Sequence, residues 1–265
     1  MIPDLHQLLH MAKDAAEIAA EVHRGVRRER LDVQTKGSIA NLVTEIDHES
    51  ERKLVAYIRA NRPDDSILGE EGSSVAGTSG IHWVIDPLDG TTNFVHGYPH
   101  FAVSIGVEIH GKRALGVVFD TANDHLYSGI VGEGAWRDGL PIYAKTETQL
   151  DRALVATGFQ PDMAVRRIQA AIAADLLPQI RDIRRSGSAA CDFCAVASGV
   201  LDAFYENGLS HWDISGGAAI AEAAGARVIE RPSPVVMKPL MLCANPRLAE
   251  ALLARIDVAE KSCVP

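Results

Sequence analysis

Asp86 and Asp89 stand three residues apart in WVIDPLDGTTNF (83–94), at the end of an apolar run. Bare carboxylates held close repel, and one tends to keep its proton; a divalent cation between them turns repulsion into attraction. Pro87 fixes its own φ and biases Asp86 towards extended backbone, and the turn expected after it brings Asp89 back beside Asp86 with the Leu88 carbonyl between them. Such an oxygen-only donor set selects a hard ion, Mg²⁺ ahead of Mn²⁺ or Ca²⁺, and leaves zinc without its usual ligands. Gly90, Thr91 and Thr92 follow and suit an anion, because glycine lets backbone approach a phosphate and N–H groups at a helix start or nest point at its oxygens. A solvated turn would explain DPLDG alone. Two further acidic stretches argue against that reading. ILGEEG (67–72) puts Glu70 and Glu71 at the end of a short strand, and SHWDISGGAAIAEAAGA (210–226) puts Asp213 at the start of a helix, where the dipole favours a carboxylate.

These acids need elements to hold them. Apolar positions at helical spacing predict a long helix over 4–29, and a second starting near Thr44, with Asp47 in a capping-box-like position, and stopping before Pro63. Short apolar segments bounded by turns, with HGKR (110–113) as a hairpin, make the middle mostly sheet. After Leu150 helical patterns near 163–177, 188–199, 214–224 and 246–257 alternate with strands near 183, 203, 228 and 241. The expected architecture is α/β, with sheets layered against helices in one compact unit of two lobes. Residues 1–150 form an α+β lobe with most of the acids, and 151–265 an α/β lobe with Asp213.

The 265 residues are long enough for a large core, and a formal charge of −9 argues against a nucleic-acid surface; the basic run RGVRRER (24–30) reads as an exposed helix end. No stretch has the length and apolarity of a membrane span or signal peptide, so a cytoplasmic, non-membrane protein is expected. Four cysteines fit a reducing compartment, and Cys191–Cys194 reads as a packed helix pair rather than a redox or zinc site. His96, His100 and His211 are read as packing or surface residues, since hard-metal phosphate chemistry needs no imidazole.

LGEE (68–71), WVIDPLDGTTNF and HWDISGGAAIAEAAGA (211–226), in that order, resemble the inositol monophosphatase family of Mg²⁺-dependent, lithium-sensitive phosphatases, and the similarity runs from the first helix to about residue 245. The resemblance implies a layered αβαβα sugar-phosphatase-type fold, two sheets sandwiched by helices, and a homodimer. It implies one Mg²⁺ on Glu70, Asp86 and the Leu88 carbonyl, a second on Asp86, Asp89 and Asp213, and a third, weaker ion helped by Glu70. Thr91, bonded to Asp47, would position the attacking water with Glu70, and Gly90 and Thr91 amides would meet the phosphate. Lys36, in VQTKGSIANLVTEID (33–47), matches a lysine on the family's mobile loop, whereas Asn41 stands where many members have aspartate. RRSGSAA (184–190) matches the substrate-ring loop and implicates Gly187, Ser188 and Ala189; Glu206 matches a glutamate that binds a ring hydroxyl.

The expected reaction is hydrolysis of a small phosphorylated polyol, inositol 1-phosphate first, by in-line attack of a metal-bound water without a covalent intermediate. Histidinol-phosphate phosphatase is the runner-up, with fructose-1,6-bisphosphatase and bisphosphate nucleotidase further off. A non-catalytic regulatory protein on the same fold, or a structural Ca²⁺ site, would not require Glu70, Asp47, Thr91 and all three aspartates together. A moonlighting partner leaves no trace in these motifs.

Overall fold

The computed structural model describes residues 3–26, 33–35 and 42–262. Lys36 and Asn41 lie outside them. The chain begins with α1 (Leu5–Arg24), β1 (Val33–Thr35), β2 (Leu42–Thr44), α2 (Glu45–Asn61), β3 (Ser66–Gly69), β4 (Ser74–Val75), β5 (Ile81–Asp89) and α3 (Thr91–His96). A meander follows: β6 (Ala102–Ile109), β7 (Lys112–Asp120), β8 (His125–Ile130), β9 (Gly134–Arg137) and β10 (Leu140–Ile142). Then come β11 (Leu154–Thr157), α4 (Met163–Leu176), β12 (Asp182–Arg184), α5 (Ala189–Ala197), β13 (Ala203–Asn207), α6 (His211–Ala223), β14 (Arg227–Arg231), β15 (Leu240–Ala244) and α7 (Pro246–Ser262).

Among the described residues the strands form an eight-stranded sheet in the order β10-β9-β8-β7-β6-β5-β3-β4, a five-stranded sheet in the order β12-β11-β13-β15-β14, and the β1-β2 pair. Alternation along the strands assigns each face its neighbour. Trp83, Ile85, Val103 and Ile105 pack under α1 and α2, against Ala12, Ala16, Leu54 and Ile58. On the opposite face Ala102, Val118 and Tyr127 meet α5 and α6, which also cover Phe204, Met241 and Cys243 of the smaller sheet. Its other face, with Val155, Ala203 and Leu242, is closed by α4 and α7. The layers therefore run αβαβα, as the resemblance implied.

The helix α6 lies at backbone contact on the large sheet. A Cβ at Gly106 would run into Ser215, one at Gly116 into the Gly216 carbonyl, and one at Gly129 would meet the Ala223 Cβ at 2.9 Å. The small residues of SGGAA and the strand glycines are thus two halves of one interface, which fixes the start of α6 and Asp213 with it. The second helix follows the sequence reading closely: Thr44 is its N-cap, and Asp47 accepts the Thr44 N–H at 2.8 Å. The first helix ends earlier than its pattern, at Arg24, which pairs with Glu17 and Asp124. The hairpin at His110–Gly111 has both φ angles positive, 50° and 75°, as a two-residue primed turn requires. The four-residue β11, LVAT, has no apolar–polar alternation, and no strand is expected there from the sequence.

Candidate active site

Asp86 and Asp89 end β5, and residues three apart on a regular strand face opposite ways. The register against β6 shifts between them: Asp86 pairs with Ser104 and Asp89 with Ala102, so Pro87 and Leu88 together oppose Val103 alone. This β-bulge, placed where proline lacks the N–H of a ladder bond, brings the two carboxylates to the same side. The expected turn is thus a bulge within the strand. Asp86 Oδ1 accepts the Leu88 N–H at 3.0 Å. Gly90, at φ 95°, opens α3 in a left-handed conformation, with the His100 carbonyl only 3.0 Å from where a Cβ would sit.

Asp213 occupies the first turn of α6, and its Oδ2 accepts the Ser210 N–H at 2.6 Å. Asp89 Oδ2 accepts from Ser188 Oγ and the Ala190 N–H, both at 2.6 Å, which ties the bulge to the start of α5. Glu70 follows β3, beside β5 in parallel pairing. Buried Glu51 on α2 holds that corner by accepting the Glu71 and Ser73 N–H groups at 2.7 and 2.9 Å, and Gly69 leaves it room. Thr91 Oγ lies 2.9 Å from Asp47 Oδ1 and 3.1 Å from the Leu88 carbonyl.

The electrostatics follow from this convergence. Burial, then the charges of Glu70, Asp89 and Asp213, push Asp86 well above the usual carboxylate range. Burial also raises Asp89, opposed by its bonds from Ser188 and Ala190. Burial, with Asp89 next, pushes Asp213 up to about 8, so the helix dipole is outweighed. Among the described residues the acids do not close into a ready-made cage for a cation. The donor set nevertheless fits a hard divalent ion: one oxygen each of Asp86, Asp89 and Asp213 is held by an N–H or O–H, leaving the other to coordinate, and the mutual repulsion is what a cation would relieve.

Glu70, Asp89, Gly90, Thr91 and Asp213 line one end of a cavity of about 480 Å³, and Gly187, Ser188, Ala189 and Glu206 line it as well. Asp86, Leu88 and Asp47 lie behind this lining, each at most 1% exposed. Glu206 is the penultimate residue of β13, with burial pushing it to about 8 and the Arg185 charge pulling it down. Gly158 permits this placement, since any Cβ there would strike the Glu206 carboxylate.

Thr92, expected beside an anion, lines the cavity as well, together with residues that carry no expectation from the sequence: Thr157, Gln160, Arg166, Arg185 and Asp192. His96, read as a packing or surface residue, lines its mouth. Asn93 lies within WVIDPLDGTTNF and Arg185 within RRSGSAA, motifs that mark these positions without giving either side chain a role. Arg166 carried no signal. His23, at the end of α1, binds the Pro87 carbonyl through Nε2 at 3.0 Å and Thr121 Oγ through Nδ1 at 3.1 Å. Cys191 and Cys194 are buried free thiols whose pKa burial raises, in keeping with a packing role. Among the described residues no helix is long and apolar enough to cross a membrane.

A model of the inositol monophosphatase family matches residues 4–261. The chain is 38% identical over 271 residues to the inositol-1-monophosphatase SuhB of Mycobacterium tuberculosis, covering 95% of this chain and 93% of that protein. It is 36% identical to inositol monophosphatase 1 of Solanum lycopersicum and 35% identical to the Nus factor SuhB of Pasteurella multocida, with 97% of each chain covered in both cases. The solved inositol monophosphatase of Anabaena superposes with a TM-score of 0.82 at 32% identity, over 97% of both chains. The Mycobacterium tuberculosis SuhB structure gives 0.80 at 38% identity, over 96% of this chain and 97% of that one. Bulge, carboxylates and cavity therefore sit in a chain that belongs to the inositol monophosphatase family of metal-dependent phosphomonoester hydrolases.

Proposed function

We propose that the chain hydrolyses inositol 1-phosphate to inositol and phosphate with two or three Mg²⁺ per site, Mn²⁺ being a substitute. The observation that carries this reading is the β5 bulge, which turns Asp86 and Asp89 together towards Glu70 and Asp213 at one end of a cavity that also holds Glu206 and Ser188. Glu70, Asp86 and the Leu88 carbonyl would hold one ion, and Asp86, Asp89 and Asp213 another. Bound there, Mg²⁺ supplies Lewis acidity and neutralises phosphate charge.

The chain's own groups do the rest. Thr91 donates its hydroxyl hydrogen to Asp47, which leaves its oxygen lone pairs to accept a hydrogen bond from a water and aim that water, with Glu70, at phosphorus. The Gly90 and Thr91 amides, at the start of α3, meet phosphate oxygens. Glu206, Ser188 and Ala189 bind ring hydroxyls; Lys36, matched through the family resemblance, lies outside the described residues. Lithium sensitivity and a homodimer belong to this reading through the family resemblance, and a division into lobes at about residue 150 through the change in helix and strand pattern there.

A cationic substrate such as histidinol phosphate is disfavoured by Arg166 and Arg185 in the same cavity, although Glu206 and Asp192 would attract its amine. Steady-state turnover measured side by side on inositol 1-phosphate, histidinol phosphate, fructose 1,6-bisphosphate and an adenosine bisphosphate tests the assignment. The highest kcat/KM is expected for inositol 1-phosphate; a hundredfold preference for histidinol phosphate would overturn it.

A further inference from the structure

Two walls of the cavity come from stretches that the chain makes 93 residues apart. One is α3 with its flanks, with Asp89, Gly90 and Thr91; the other runs from Arg185 into the start of α5, with the ring-side Ser188 and Ala189, while Glu206 and Asp213 line the cavity from β13 and α6. Asn93 joins them. Its Nδ2 donates to the His100 carbonyl at 2.7 Å, closing its own loop, and to the Ser186 carbonyl at 2.8 Å, in the other loop. Both partners are carbonyl oxygens, so the amide nitrogen must face them. The second loop is shaped to receive it. Gly187 sits at φ 96°, and a Cβ there would lie 2.9 Å from Asn93 Nδ2 and against the Arg185 guanidinium. The bonds from Ser188 and Ala190 to Asp89 cross the same seam but end on a group assigned to metal binding. Asn93 spans the seam without touching the proposed ion site.

We infer that Asn93 is a positioning residue for substrate selectivity: its carboxamide sets the distance between the phosphate loop and the ring-binding loop. The inference rests on the proposed polyol phosphatase function. A substrate whose leaving group reaches Ser188, Ala189 and Glu206 depends on that spacing. Phenyl phosphates, which offer those residues no hydroxyls, depend on it far less.

Asn93→Asp keeps the volume but sets a carboxylate oxygen against two carbonyls, and Asn93→Ala removes the bridge. The test compares kcat/KM for inositol 1-phosphate and p-nitrophenyl phosphate, at saturating Mg²⁺, in the wild type and both variants. The ratio of the two constants should fall about tenfold or more, chiefly through a raised KM for inositol 1-phosphate, as loss of a charge-free two-bond bridge would give. Amide exchange on the full chain should quicken at 185–190 in Asn93→Ala, a readout that remains available if a variant is too unstable to assay. An unchanged ratio in an active variant, an equal loss on both substrates, or unchanged exchange at 185–190 would overturn the inference. A wild type that releases no phosphate from either substrate would instead sink the phosphatase reading and the selectivity claim together.

Discussion

Asp86 is the residue on which the site's electrostatics concentrate, because it is buried and faces three other acids. Asp86→Asn keeps an oxygen for the Leu88 N–H and removes the charge. Phosphate release should fall at least about a hundredfold, since the ligand proposed to be shared by two ions is lost. The thermal midpoint without metal should hold or rise, and the rise on adding Mg²⁺, which in the wild type follows RT ln(1 + [Mg²⁺]/Kd), should vanish. Thermal scans with and without Mg²⁺ check this; a variant with near-normal turnover contradicts the ligand set. At the ring end, measured above the Glu206 pKa of about 8, where the group is ionised, Glu206→Gln should raise KM for inositol 1-phosphate by roughly tenfold or more, the worth of hydrogen bonds to a charged acceptor. Equal loss on p-nitrophenyl phosphate would show that Glu206 supports the fold instead. The acids were legible in sequence because several oxygen donors at fixed spacing imply one chemistry. Asn93, Glu51 and His23 were not, because each acts on backbone groups that only the fold brings near.

Among the elements, α6 matters most, since its position on β6 and β7 decides where Asp213 stands. Gly116→Ala would drive a methyl into the Gly216 carbonyl, and backbone cannot yield as a side-chain end can. A loss of about 1–3 kcal/mol or more is expected, with weaker Mg²⁺ binding as the helix is pushed off the sheet. Urea unfolding and a Mg²⁺ titration read the two effects; a variant of wild-type stability and affinity would mean that α6 is not held by this contact. Helices and their caps were readable from period and capping chemistry, Thr44 and Asp47 most clearly. The bulge was not. Pro87 signals a break in the ladder, but whether the chain turns away or stays in the sheet with one extra residue depends on its pairing with β6. The strand β11 escaped because it lies inside its sheet, paired on both sides, and its four residues show no apolar–polar alternation.

On the scale of the whole molecule, burial between layers sets a pH dependence that starts at a histidine behind the acidic bulge rather than at the acids themselves. His23 is buried beneath the Pro87 carbonyl against Phe94 and Phe101, and burial pushes its pKa down to about 4. Its ordinary value is near 6.5, so between these limits the unfolded chain takes up a proton that the folded chain refuses, and stability falls as pH drops through that window. Going from pH 7 to pH 5 should therefore remove about 2 kcal/mol that a His23→Gln variant does not lose, and paired denaturant curves at the two pH values measure it. Equal losses in both proteins would place the pH sensitivity elsewhere. The formal charge of −9 works against phosphate at long range, so attraction must come from cations gathered at the site. Phosphate release from inositol 1-phosphate, followed as Mg²⁺ is titrated into metal-free protein, tests that claim most directly. Turnover should be absent without the ion and rise to saturation with it, tracking occupancy of the acids; metal-independent turnover, or none at any Mg²⁺ concentration, would contradict the account.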